Sequence, residues 1–205
     1  MSEYSSIENK QFTPLMNACV KGDLEKVKLY CENNVDVNEK NDNDISAILI
    51  ASYKGHLDCV KELINYNANV NIATHYGGTA LIIATQFGNY DVVCELLKNN
   101  ANVEAIINED QTALIVAVDY QQPKILKELI KYNANVNHKM NNGMTALCYA
   151  CMNGNKESVE ILCDNGADYN HEININGNIV TPITFAKLYE HREIIDYLSA
   201  KIQKT

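Results

Sequence analysis

The chain has 205 residues, with 17 Lys and Arg against 26 Asp and Glu for a formal charge of −9, and 46% of its residues are hydrophobic. That balance argues against a nucleic-acid backbone or an anionic membrane as the main partner, since both need clustered cations. No run of about 18 apolar residues exists to span a bilayer, and seven cysteines, an odd number, suit a reducing compartment in which Cys acts as a small apolar side chain.

Residues 1–11 read as an acidic, polar lead-in rather than a signal peptide. A unit then begins that recurs along the chain. Thr13, Ser46, Thr79, Thr112 and Thr145 open five copies spaced by 33 residues, and Thr181 opens a sixth after 36. Such self-similarity governs every later reading of a sequence. Five residues after each opening stand Ala18, Ala51, Ala84, Ala117, Ala150 and Ala186. Fourteen after it stand Val27, Val60, Val93, Leu126, Val159 and Ile195, and at twenty-one come Asn34, Asn67, Asn100, Asn133 and Gly166.

In the first unit (about 12–41) Thr13-Pro14 predicts a helix start, because Thr caps and Pro lacks only an N–H that would be unpaired there. Gly22 ends that helix in a left-handed conformation. A second helix begins at Asp23 and is expected to bury Leu24, Val27 and Tyr30, and Asn34 stops it. Asn17 stands where later units carry Ile50, Ile83, Val116, Tyr149 and Phe185, which marks this unit as an N-terminal cap. The second (42–74) and third (75–107) units repeat the scheme, with Gly55 and Gly88 in the turn, His56 and Asn89 at the second helix start, and Leu57, Val60, Leu63 and Ile64 as core. The fourth (108–140) has Gln121-Gln122-Pro123 in the turn, where a left-handed Gln costs roughly 1 kcal/mol relative to Gly. The turn is expected to be a local weak point. The fifth (141–175) returns to Gly154 and Asn155. Before the sixth (176–205), residues 173–180 alternate around Asn176-Gly177, the strongest short hairpin signal. The last helix is charged, and residues 201–205 read as a solvated tail.

These columns (T-P/A-L, Ala, Gly, and N/G-A-N/D-V-N at a period of 33) resemble the ankyrin repeat. The resemblance covers the chain from residue 12 to 205 and implies an all-α solenoid of stacked helix-turn-helix units with β-hairpin-like finger loops. One departure is consistent: the His that often follows T-P-L is replaced by Met16, Leu49, Ile82, Ile115, Cys148 and Thr184. Apolar packing is expected there in the middle units instead of a polar ladder.

The resemblance also implies a function of binding proteins through the finger loops and first-helix ends on the concave side, without catalysis or cofactor. The helix ends hold Val20-Lys21, Tyr53-Lys54, Gln86-Phe87, Asp119-Tyr120, Met152-Asn153 and Leu188-Tyr189. The fingers add Ile45, His75, Tyr76, Gln111 and Met144. Tyr53, Lys54, Tyr76, Phe87, Tyr120 and Met152 form the candidate site, since exposed aromatics and Met are enriched anchors of interfaces. The partner is then a protein, with no nucleic acid or membrane, met by a monomer in the cytoplasm or nucleus. The alternatives are a regulatory or assembly subunit of a larger complex and, remotely, a metal or redox role at Cys148-x-x-Cys151. The family further implies asparaginyl hydroxylation, for which Asn170, preceded by Leu162 and Asp168, fits the usual spacing best. His138 and His171 occupy equivalent positions in successive loops, too far apart to share a metal.

Overall fold

The computed structural model describes residues 12–108 and 110–203. The lead-in 1–11 lies outside the described residues. Two compact units divide at Ala101 and Asn102.

In the first unit the helices are α1 Pro14–Lys21, α2 Leu24–Glu32, α3 Ala47–Lys54, α4 Leu57–Asn65, α5 Ala80–Gln86 and α6 Tyr90–Lys98. Each odd helix packs on the even helix that follows it; α1, α3 and α5 stack side by side, as do α2, α4 and α6. The two layers differ because they bury different amounts of surface. Ala47 to Ser52 of α3 and Ala80 to Thr85 of α5 are all buried, so these short segments read as apolar on every side. The outer helices keep one wet face: α4 buries only Cys59, Val60 and Leu63, at the spacing of a single stripe. The columns at Met16, Leu49 and Ile82 are buried at 2% exposure or less, so apolar packing does fill the place of the family His.

The first repeat is exposed where its successors are covered. Asn17 is exposed and donates to the carbonyls of Phe12 and Thr13, whereas Ile50 and Ile83 are buried. The expectation for the second helices needs correction: Val27 and Cys31 are buried, but Leu24 and Tyr30 of α2 and Leu57 and Ile64 of α4 are only half-covered, because these helices form the outer layer and keep one face in water.

In the second unit β1 (Ile106–Ile107) and β2 (Gln111–Thr112) form a small finger, followed by α7 Ala113–Asp119, α8 Pro123–Lys131, α9 Ala146–Met152 and α10 Lys156–Asp164. A longer finger, β3 (Ile173–Ile175) and β4 (Asn178–Val180), leads into α11 Pro182–Leu188 and α12 Arg192–Ile202. Ile173 pairs with Val180, Asn174 with Ile179 and Ile175 with Asn178. Asn176 and Gly177 both have positive φ, 51° and 84°, the type I′ turn that matches strand twist. The helices stack as in the first unit. Ile115 and Cys148 are buried, while the equivalent Thr184 and the following Lys187 are exposed. The sixth repeat thus presents polar groups where the fourth and fifth are apolar and buried. The solvated tail expected over 201–205 holds only in part: α12 runs on to Ile202, and Lys201 reaches Asp164 at 3.1 Å and lies over the Tyr197 ring, while Ile202 and Gln203 are exposed and residues 204–205 lie outside the described residues.

Side chains tie neighbouring repeats through the backbone. The Asn38 carboxamide accepts from Asn69 N–H at 2.7 Å and donates to Asn67 O at 3.2 Å, and Asn71 donates to Asn100 O at 3.2 Å. In the second unit Asn137 does both, toward Asp168 N–H and Gly166 O. Glu104 occupies the same column and accepts from Asn135 N–H at 2.8 Å, but a carboxylate has no donor for the second bond. His138 and His171 make a second ladder, each donating through Nε2 to a carbonyl of the finger before it, Asp110 O at 2.8 Å and Gly143 O at 3.0 Å.

Candidate partner-binding face

The first-helix ends are held in place by the second helix of the next repeat. Asn89 stands at the start of α6, where a side-chain cap is expected, yet it makes none. Its amide instead donates to Ser52 O at 2.7 Å and Tyr53 O at 3.0 Å. Both carbonyls lie in the last turn of α3, where helix carbonyls run short of partners; Ser52 O also accepts from Gly55 N–H at 3.3 Å, and the bond to Tyr53 O fixes the backbone at Tyr53. The adjacent Gly55 is left-handed, and a Cβ there would lie 2.7 Å from Asn89 Oδ1. The second unit uses the same device with another residue: His191 Nε2 donates to Met152 O at 3.1 Å, and its ring covers Gly154 so closely that a Cβ would lie 2.5 Å from Cε1.

In the first unit this brings three of the candidate residues together. Tyr53, half-buried, meets Phe87 edge-to-face, with ring centroids 4.5 Å apart and planes at 86°. That is a favoured aromatic geometry. Lys54 Nζ lies 5.0 Å from the Tyr53 centroid, within cation–π range. Phe87 remains 42% exposed. Tyr76 lies in the loop closed by the Ala73–Thr79 bridge, 57% exposed and edge-on to His75.

In the second unit Tyr120 ends α7 at 47% exposure, and Met152 ends α9 half-buried. Leu188 and Tyr189 continue that column and are more open, at 71% and 51%. Both are helix-end residues left out of the candidate site, because the column alone does not state how open each copy is. Ile175 and Ile179 of the long finger are likewise exposed. Asn170 is exposed, with its N–H held by Asp168 Oδ1 at 3.0 Å. It is the last member of the column formed by Asn38, Asn71 and Asn137.

The cysteine pair has the opposite character. Cys148 and Cys151 are fully buried, and burial pushes both thiols above the ordinary range. A sealed neutral thiol is a poor nucleophile and a poor metal ligand. Among the described residues no three His, Cys, Asp or Glu side chains gather where they could hold a metal ion. No helix among them is long and apolar enough to cross a membrane.

The comparisons agree with this architecture. A family model for ankyrin repeats, three copies long, matches residues 15–107 and again 104–173, and the chain belongs to the ankyrin repeat family. Among solved structures it is similar to the ankyrin repeat domain of human ASB11, at 27% identity and a TM-score of 0.81, over 92% of this chain and 83% of that one. Comparison with curated proteins gives no match. Ankyrin repeats are in general protein-interaction modules and typically non-catalytic, so the fold gives the class of activity while the side chains must give the specificity.

Proposed function

We propose that the protein is a non-catalytic scaffold or adaptor that captures a protein partner on its first-helix ends and fingers. Tyr53, Lys54, Phe87 and Tyr76 act in the first unit, and Tyr120 and Met152 in the second. The observation that carries this is the Tyr53–Phe87 pair: two aromatic rings, partly open to solvent, locked edge-to-face and fixed from behind by Asn89. A face ordered before binding loses little conformational entropy on association. The acidic balance of the chain favours a protein over a nucleic acid. A cytoplasmic or nuclear location and a monomeric free state belong to the same reading. On the family resemblance, Asn170 is the residue for asparaginyl hydroxylation, which would appear as one added oxygen on its peptide.

The test is Tyr53→Ala, Phe87→Ala and Tyr120→Ala combined, followed by affinity capture from the native source with mass spectrometry. Each anchor contributes on the order of 2 kcal/mol if it is a hot spot, so capture should vanish while circular dichroism stays helical. Retained capture refutes the assignment. The exposure of Leu188 and Tyr189 favours a second reading, a subunit of a larger complex; co-elution at high mass in native extract would support it.

A further inference from the structure

Four Asn-Gly dipeptides occur in the chain: Asn142-Gly143, Asn153-Gly154, Asn165-Gly166 and Asn176-Gly177. All fall in the second unit. Asn-Gly is chemically reactive because the glycine nitrogen, unhindered by a neighbouring Cβ, can attack the asparagine carboxamide. A bond forms from the Gly nitrogen to Cγ, the Cγ–NH2 bond breaks, and ammonia leaves. Water then opens the five-membered imide at either carbonyl, giving aspartate or isoaspartate. No oxidant or cofactor is required. What decides the rate at each pair is whether the fold leaves the amide and the attacking nitrogen free to meet.

We propose that Asn176 is a site of spontaneous deamidation and that the fold restricts the reaction to this pair. The other three are tied down. Asn142 Oδ1 accepts from Met144 N–H at 2.9 Å, and Gly143 N–H donates to Met140 O at 2.8 Å. Asn165 donates to Ile161 O at 2.8 Å, and Gly166 N–H to Cys163 O at 3.2 Å. Asn153 reaches Asp119 at 3.4 Å, and Gly154 is covered by the His191 ring. At each of these, attack requires an internal backbone bond to break or a packed ring to move.

Asn176 is different. It is exposed at the tip of the long finger, and its carboxamide makes no hydrogen bond to the described residues. Nothing lies within 4 Å of where a Cβ on Gly177 would be. The Gly177 N–H donates only to the Asn174 side chain, at 2.8 Å, an exposed group for which water is a ready substitute. The aspartate product keeps the turn, because Asp-Gly suits type I′ as well as Asn-Gly does. The isoaspartate product inserts a methylene into the main chain and breaks the Ile175–Asn178 pairing. Either product places a new negative charge between Ile175 and Ile179, 41% and 57% exposed. The reaction therefore changes the chemistry of the finger without touching the helices, and it stands whether or not the partner-binding face is as proposed.

The test is incubation of the full chain in neutral to mildly alkaline buffer, native and urea-unfolded, followed by peptide mapping with isoaspartyl methylation. Native protein should convert residue 176 at least roughly tenfold faster than residues 142, 153 or 165, since each bond that must first break adds to the barrier. In urea the four rates should converge. Gly177→Ala should suppress the conversion of residue 176. Conversion of another pair as fast as residue 176 in the native state, no conversion of residue 176, or the same ranking in urea would overturn the proposal.

Discussion

Replacing Gly154 by Ala separates the two reasons that a glycine stands in the turn of a repeat. Its φ is 69°, and the added Cβ would lie 2.5 to 2.9 Å from three atoms of the His191 ring. The left-handed conformation alone costs a non-glycine residue about 1 kcal/mol. Moving the ring forfeits the bond from Nε2 to Met152 O, 3.1 Å long, for about 1 kcal/mol more. Gly166 supplies the contrast: its φ is 85°, but nothing lies within 4 Å of its Cβ position. Gly154→Ala should therefore cost about 2–3 kcal/mol and Gly166→Ala about 1 kcal/mol. In a chain of this size the corresponding falls in Tm are about 4–12 °C and about 2–4 °C. Scanning calorimetry and urea titration would measure both. In a His191→Ala background the cost of Gly154→Ala should shrink to that of Gly166→Ala, the coupling that a double-mutant cycle isolates. Equal costs for the two glycines, or a cycle with no coupling, would refute the argument that the imidazole enforces the glycine.

Three further outcomes are expected. Gln121 has a φ of 54° in the turn where the first, second, third and fifth repeats carry glycine and the sixth carries Glu190, at 59°, so Gln121→Gly should stabilise by about 1 kcal/mol; amide exchange over 119–124 in the parent should be faster than in the glycine turns. Glu104→Asn supplies the donor that the loop ladder lacks and should raise the urea midpoint, whereas Asn137→Ala removes two bonds and should lower it by about 1–2 kcal/mol in free energy. Burial raises the Cys163 thiol from 9.0 to about 11, so the unfolded chain loses that proton first. The stability Cys163 contributes is present below pH 9 and is lost as pH rises toward 11; Cys163→Ser should flatten the alkaline limb of a stability–pH profile.

Much of the helical frame was legible because it follows from local chemistry repeated at one spacing. Thr13, Thr79 and Thr145 cap as their position predicts, each accepting from the N–H three residues on, and Asn34, Asn67, Asn100 and Asn133 are all left-handed. Asn176-Gly177 gave the hairpin for the same reason. Asn89 was less legible: capping rules look a few residues ahead, whereas its amide serves carbonyls 36 and 37 residues behind. Leu24 and Leu57 are less covered than expected, because a column states which residues share a face and not how fully the outer layer covers it, and Lys201 is held by Asp164, 37 residues back, beyond any local reading. The candidate face shows both sides of this limit. The positions of Tyr53 and Phe87 could be read off the column, but their edge-to-face meeting depends on the lateral distance between two helices, which no sequence spacing states.

The lateral bonds have one further property. In the Asn and His loop ladders they join residues 28, 29 or 31 apart, and the groups they reach are backbone groups that any repeat offers. Excising or duplicating one period would therefore leave a seam as well bonded as the original, because main-chain amides carry no memory of which copy they came from. Lengthening and shortening of the array is thus chemically cheap, while the exposed side chains on each copy stay free to diverge.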